Sequence, residues 1–224
     1  MGDISFYKHL PATIYAGNRR TGGGTAYQHD EITRTYKERI DELSTDAICG
    51  TKRTVCGLPR GALLDGGTTV VTIHEACDYI IVRLTEAGTY LNVLKLHKLL
   101  YYFQSWSLAH GRGHLFEGNF QAWVHGPVNR VVYNRFAPSK MMYSVLSLRD
   151  LREDFNVEAL DRDDRAFMDA VLEVYAPLTG DQLEQMTHDE EPWIEARHGV
   201  APNERSENVI NDETMRRYYA ARLN

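Results

Sequence analysis

From Asn92 to Gly111 the chain writes one long helical segment, Val-Leu-Lys-Leu-His-Lys-Leu-Leu-Tyr-Tyr-Phe-Gln-Ser-Trp-Ser-Leu-Ala-His, and the rest of the fold has to be arranged around it. Asn92 is suited to cap its start, and Gly111 to end it. Leu96, Leu99, Leu100, Phe103 and Trp106 recur at helical spacing as a broad apolar stripe. Each such side chain contributes about 1.5–3 kcal/mol when fully buried, which makes this helix central to the core. The same segment carries Lys95, His97, Lys98, Tyr101 and Tyr102. On a bland reading the lysines form a solvated face and the tyrosines are partly core. On a functional reading they are anchors displayed to a partner.

About twenty residues on, Ala122-Trp123-Val124-His125 is a short apolar run halted by Gly126-Pro127. Phe120 to His125 reads as a short extended segment. Gly126 permits an unusual backbone angle, Pro127 fixes the next one, and Pro127 suits the first turn of a helix over about 128–136. Thr72-Ile73-His74-Glu75 is a capping box, followed by an apolar face of Ile73, Cys77, Ile80, Ile81 and Leu84, with Gly88 as the left-handed terminator. Asp161 caps a helix whose apolar face is Phe167, Val171 and Val174, and Pro177 follows its end. Thr179-Gly180-Asp181-Gln182 is a second capping box, with Leu183 and Met186 behind it. Asn211 caps a C-terminal helix in which Ile210 and Met215 occupy hydrophobic-staple positions. The sum is a mostly α, compact domain of about six or seven helices with at most two or three short strands over residues 70–224. Residues 1–69 form an extension with one helix at about 30–45, where Ile32, Tyr36, Ile40 and Leu43 recur, followed by a connection rich in glycine and proline.

With 224 residues, 43% of them hydrophobic, the chain can bury a core. A net charge of −6, with lysine and arginine never clustered beyond pairs, argues against life on phosphate backbones. Three cysteines without metal-type spacing read as reduced thiols. No apolar run approaches the ~20 residues of a membrane span. Phe6 stands where a myristoylation signal wants Ser or Thr, and no secretory signal is recognisable. The expectation is a cytoplasmic protein.

Catalytic and metal motifs are missing from the pattern. His110 and His114 are four apart, but Gly111 and Gly113 break the helix that would align them, so no metal and no cofactor are expected. Cys77 sits on an apolar helical face, which makes it an inert core thiol. No Gly-x-Ser-x-Gly elbow occurs. His188-Asp189-Glu190-Glu191-Pro192-Trp193 reads as a helix junction with Trp193 against the core. Two other classes stay in view. A small hydrolase would use His125 or His188 with Glu190. A DNA-binding autorepressor would need residues 28–48 in a helix-turn-helix, where acidic residues outnumber basic ones.

Taken in order, Leu96-His97-Lys98-Leu99-Leu100-Tyr101-Tyr102, then Ala122-Trp123 with Gly126-Pro127-Val128, then His188-x-x-x-Pro192-Trp193, together with Tyr218-Tyr219, resemble the SocA-like, or Panacea, antitoxin domain of bacteria and phages. The resemblance covers roughly residues 70–222. Gln104 and Ser105 depart from it, since the family often has Gly or Ala there. It implies an α-rich antitoxin that neutralises a toxin encoded by a neighbouring gene through direct protein–protein contact, or that delivers the toxin to a ClpXP-type protease. Neither catalysis nor a membrane partner is expected, on the sequence grounds given above. The expected partner-binding residues are His97, Lys98, Tyr101, Tyr102, Trp123, Gly126, Pro127, Val128, His188 and Trp193, which either touch the toxin or hold the scaffold that does. Replacing Lys98 and Tyr101 with Ala is expected to weaken binding with little change in melting temperature.

Overall fold

The chain turns on a helix that has no solvent face. The computed structural model describes residues 71–223 and four helical positions, Glu31, Arg34, Thr35 and Glu38. The rest of the helix expected at 30–45, and the connection after it, lie outside the described residues.

Helix α1 (Ile73–Glu86) begins at the expected capping box: the Thr72 hydroxyl accepts from the Glu75 amide, and the Glu75 carboxylate accepts from the Thr72 amide. It ends with Gly88 at φ 64°. Helix α2 (Val93–Ala109) starts on the Asn92 side chain, which accepts from the Lys95 amide at 2.8 Å, and closes before Gly111 at φ 68°. Strands β1 (Phe120–Trp123) and β2 (Gly126–Asn129) form a tight antiparallel hairpin with Trp123 opposite Gly126 and Ala122 opposite Pro127. Residues 208–210 lie along the other side of β1, with Ala122 donating to the Asn208 carbonyl and Ile210 to the Phe120 carbonyl, both at 2.8 Å. Then follow α3 (Arg130–Phe136), two single-turn 3-10 segments (Leu148–Asp150 and Val157–Ala159), α4 (Arg162–Tyr175), α5 (Gly180–His188), α6 (Glu191–Ala196) and α7 (Asp212–Ala220). The mostly α fold class is as the sequence indicated, and the caps at Asp161, Thr179 and Asn211 all form.

Two sequence expectations are corrected. Pro127 does not open a helix. It lies in β2, and the helix begins at Arg130 because the Asn129 side chain caps it, accepting from the Val131 and Val132 amides. The Ala122 amide points away from β2 toward residue 208, so the Ala122–Pro127 pair is a non-bonded rung where proline's missing N–H is harmless. The second correction concerns α2. Instead of a stripe, every residue from Val93 to Leu108 is buried, because α1, α4, α5, α7 and the hairpin pack around the whole circumference. Lys95 and Lys98 therefore have no solvated face.

Candidate partner-binding site

Burying lysines requires oxygen partners, and the backbone supplies them. The Lys95 ammonium donates to the Ala176 carbonyl at 2.6 Å and to the Tyr90 carbonyl at 3.2 Å, tying α2 to the end of α4. Burial lowers its pKa to about 8. Lys98 is fully enclosed, and its ammonium donates to the carbonyls of His125 and Pro127, the latter at 3.1 Å. The cation thus stands under the hairpin turn and holds both of its arms. Burial lowers its pKa to about 7, against the opposing pull of the Glu184 carboxylate.

That contact explains Gly126. Its φ is 85°, and a Cβ there would lie 2.7 Å from both Lys98 Nζ and Thr187 Oγ1. Only glycine lets the turn close onto the ammonium. His97, also fully buried, accepts from the Asn129 amide at 3.4 Å through Nδ1, and burial together with the neighbouring Lys98 charge lowers its pKa to about 3. The imidazole is therefore neutral. Val128 completes the buried strand.

One turn further along α2, Tyr102 stacks on Tyr175 with ring centres 3.9 Å apart. Its hydroxyl donates to Glu190 at 3.0 Å, and the Tyr219 hydroxyl donates to the other oxygen of the same carboxylate at 2.5 Å. Tyr101 is enclosed among Tyr102, Phe120 and Tyr219. Burial drives the pKa values of all three tyrosines well above the ordinary range, with the Glu190 charge adding to it.

The half-buried aromatics lie around the hairpin. The Trp193 indole N–H donates to the Trp123 carbonyl at 3.0 Å, and His188 stacks on Trp193 at 4.2 Å. Burial lowers the His188 pKa, opposed by the Glu184 charge. Arg130 lies over the Trp123 ring at 4.6 Å and pairs with Glu207. An open groove of about 280 Å³ runs along Trp123, Val124, His125, Arg205, Ser206 and Glu207.

The sequence-predicted residues accordingly fall into two sets. His97, Lys98, Gly126, Pro127 and Val128 converge beneath the turn, with Trp123, His188 and Trp193 beside it. Tyr101 and Tyr102 sit in the tyrosine cluster around Glu190. Lys98 and Tyr101 are fully buried, so their replacement by Ala acts on stability and cannot serve as the surface test expected from the sequence. Gln104 and Ser105 leave no altered face: Gln104 accepts from the Leu115 amide at 3.1 Å, and Ser105 donates to the Tyr101 carbonyl at 2.8 Å.

The pairing of His188 with Glu190 envisaged for a hydrolase is not made. Glu190 engages the two tyrosines, and the exposed His125 meets Glu184 at 3.0 Å instead. Cys77 is a buried core thiol whose pKa is pushed up to about 12 by burial. Among the described residues no cluster of His, Cys, Asp or Glu could hold a metal, and no helix is long and apolar enough to cross a membrane. Sequence reasoning missed Arg197, whose guanidinium donates to the carbonyls of Ala122 at 3.0 Å, Ala201 at 2.8 Å and Glu204 at 2.9 Å, fastening β1 to the 201–204 loop. Nothing in its sequence neighbourhood announces acceptors that come from backbone.

No curated protein and no solved structure matches the chain. The family match begins inside α2 and stops within α6, so α1 and α7, which close the core around it, fall outside the matched stretch. Residues 96–194, which carry the lysine-held hairpin and the His188–Trp193 stack, match the family model described as antitoxin SocA-like, Panacea domain.

Proposed function

We propose that this chain is an antitoxin that neutralises the toxin encoded beside it by direct protein–protein binding. The Panacea domain supports an antitoxin role in general terms, and it points away from an enzyme. The observation that carries the more specific reading is the Lys98 clamp under the Gly126 turn. An isolated buried cation is costly, yet here it fixes an exposed turn beside half-buried tryptophans, which is how a preformed binding surface is made.

In this reading the ten expected residues divide their labour. His97, Lys98, Tyr101, Tyr102, Gly126, Pro127 and Val128 hold the scaffold. Trp123, His188 and Trp193 lie at the face that meets the toxin, with His125 at its centre. The chain's net charge of −6 favours a basic partner, whose approach it would speed. Delivery of the bound toxin to a ClpXP-type protease is an alternative outcome of the same contact.

The test is growth of cells expressing the neighbouring gene, with and without this protein, in protease-proficient and protease-deficient hosts. Rescue in both hosts is the expected result and means neutralisation by binding. Rescue only where the protease is present would assign the adaptor role. A neighbour that is toxic and is rescued in neither host would overturn the antitoxin reading.

A further inference from the structure

The segment between α3 and the first 3-10 turn carries a feature that the buried scaffold does not account for. Residues 141–144 form a turn closed twice, by the Ser144 amide donating to the Met141 carbonyl at 3.0 Å and the Met141 amide donating to the Ser144 hydroxyl at 2.9 Å. The turn is also fastened to the start of α2: Leu94 donates to the Met142 carbonyl at 2.8 Å and Val93 to the Ser144 carbonyl at 3.2 Å. The backbone is thus pinned, while the side chains of Met141 and Tyr143 point outward, 83% and 55% exposed. Large apolar groups held in water on a fixed backbone are characteristic of interaction sites.

The surroundings of Tyr143 specify the chemistry of what covers it. Its ring lies 6.5 Å from that of His125, edge to face. His125 in turn meets Glu184 at 3.0 Å. Asp181 stands three residues before Glu184 on α5 and so on the same face of that helix, and the Tyr143 pKa is raised by burial and then by the charges of Glu184 and Asp181. The nearby cations are already engaged: Lys140 pairs with Asp150 at 2.9 Å and Lys98 lies under the hairpin. An exposed ring face beside carboxylates, with no free cation beside it among the described residues, is complementary to a positive side chain.

We propose that Tyr143, His125, Glu184 and Asp181, with Met141 at the rim, receive an arginine or lysine of the toxin flanked by apolar residues. The inference rests on the antitoxin reading and specifies its contact. The guanidinium or ammonium lies over the Tyr143 ring and pairs with the Asp181 and Glu184 carboxylates, while Met141 packs on the adjoining apolar side chains.

The experiment uses the full-length chain and the purified product of the neighbouring gene. Affinity is measured for the unaltered protein, for Tyr143→Lys, for Asp181→Lys, and for Asp154→Lys, a charge change at a site 81% exposed and paired only at the limit of range. All three substituted side chains face solvent, so melting temperatures are expected to hold for Tyr143→Lys and Asp154→Lys and to fall by a few degrees for Asp181→Lys, which sets a cation in the first turn of α5. Tyr143→Lys and Asp181→Lys are each expected to weaken binding about tenfold or more, and Asp154→Lys by no more than about twofold. Binding by the unaltered protein that survives both Tyr143→Lys and Asp181→Lys overturns the site and leaves the antitoxin role standing. Equal weakening by all three variants would reveal steering by net charge and would also overturn it. A concentration-dependent dimer of the unaltered protein, lost in Tyr143→Lys, would assign the patch to a second copy of this chain and overturn the toxin as its occupant. Absence of any binding or rescue by the unaltered protein removes the antitoxin reading itself, and the inference with it.

Discussion

Asp78 on α1 and Lys98 on α2 are both fully enclosed charges, and the fold neutralises them in opposite ways. Asp78 has two cations: Arg135 meets one carboxylate oxygen, and Arg152 donates to the other at 2.7 Å. Arg135 also donates to the His74 and Asp150 carbonyls. This is a closed ionic lock that joins α1 to α3 and the segment after it. Lys98 has no carboxylate in contact among the described residues and is held by carbonyl dipoles of the turn. Charge pairing fixes the junction of α1 with α3. Cation–dipole contacts fix the candidate binding face, and they lose their charge when the lysine gives up its proton.

The largest expected effect tests the lock. Asp78→Ala leaves two arginine charges facing an apolar gap and should lower unfolding free energy by about 3–5 kcal/mol, read from urea denaturation. The next tests the turn. Gly126→Ala forces a side chain into the left-handed region, worth about 1–3 kcal/mol, and drives its Cβ to within 2.7 Å of Lys98 Nζ. Its expected signature is a lowered melting temperature together with lost neutralisation, whereas Asp78→Ala, corrected for its folded fraction, should still neutralise. Equal neutralisation by folded Gly126→Ala would break the link between turn geometry and binding.

Lys98→Met sharpens the comparison through pH. It leaves two buried carbonyls unsatisfied, a loss of about 1–3 kcal/mol. The folded pKa of Lys98 is lowered to about 7 from an ordinary 10.5, so between those values the unfolded chain binds more protons than the native one. Stability attributable to Lys98 therefore rises as pH increases from about 7 to about 10, by up to about 1.4 kcal/mol per pH unit, and is flat below 7 where both states are protonated. Lys95 adds a rise of the same sign starting near pH 8. Lys98→Met should flatten the part of the curve between pH 7 and 8. An unchanged curve in that interval would mean that the ammonium is not enclosed as described.

Much of the framework could be read from local chemistry. The capping boxes at Thr72 and Thr179 and the caps at Asn92, Asp161 and Asn211 each depend on a side chain and an amide two or three residues away, so spacing alone identifies them. The motif order also located the convergence of Lys98 with Gly126–Val128. The sequence could not indicate that Lys95 and Lys98 point inward, because their acceptors are backbone carbonyls of Ala176, His125 and Pro127, and every residue carries a carbonyl. The place of Pro127 is hidden for a related reason: its fixed φ suits a first helical turn and an unbonded strand rung alike, and only the register decides. The sequence offers His125 or His188 as companions for Glu190, whereas Tyr102 and Tyr219, which donate to it, come from helices distant in sequence.

The smallest expected effect on stability lies at the outer edge of the face. Arg130 covers the Trp123 ring at 4.6 Å and pairs with Glu207, and their side chains are 36% and 59% exposed. Water screens such contacts, so Arg130→Ala should change unfolding free energy by less than about 1 kcal/mol. Its effect on neutralisation separates two roles for Trp123. If the indole is a contact made from the groove side, uncovering its other face leaves toxin binding nearly unchanged, and Trp123→Ala alone abolishes it. If the Arg130–Trp123 stack is itself the surface that the toxin touches, Arg130→Ala weakens binding about as much as Trp123→Ala while the denaturation midpoint stays in place. Side-by-side titrations of the two variants against the neighbouring gene product decide how far the binding face extends from the carbonyl-held turn toward the β1 edge.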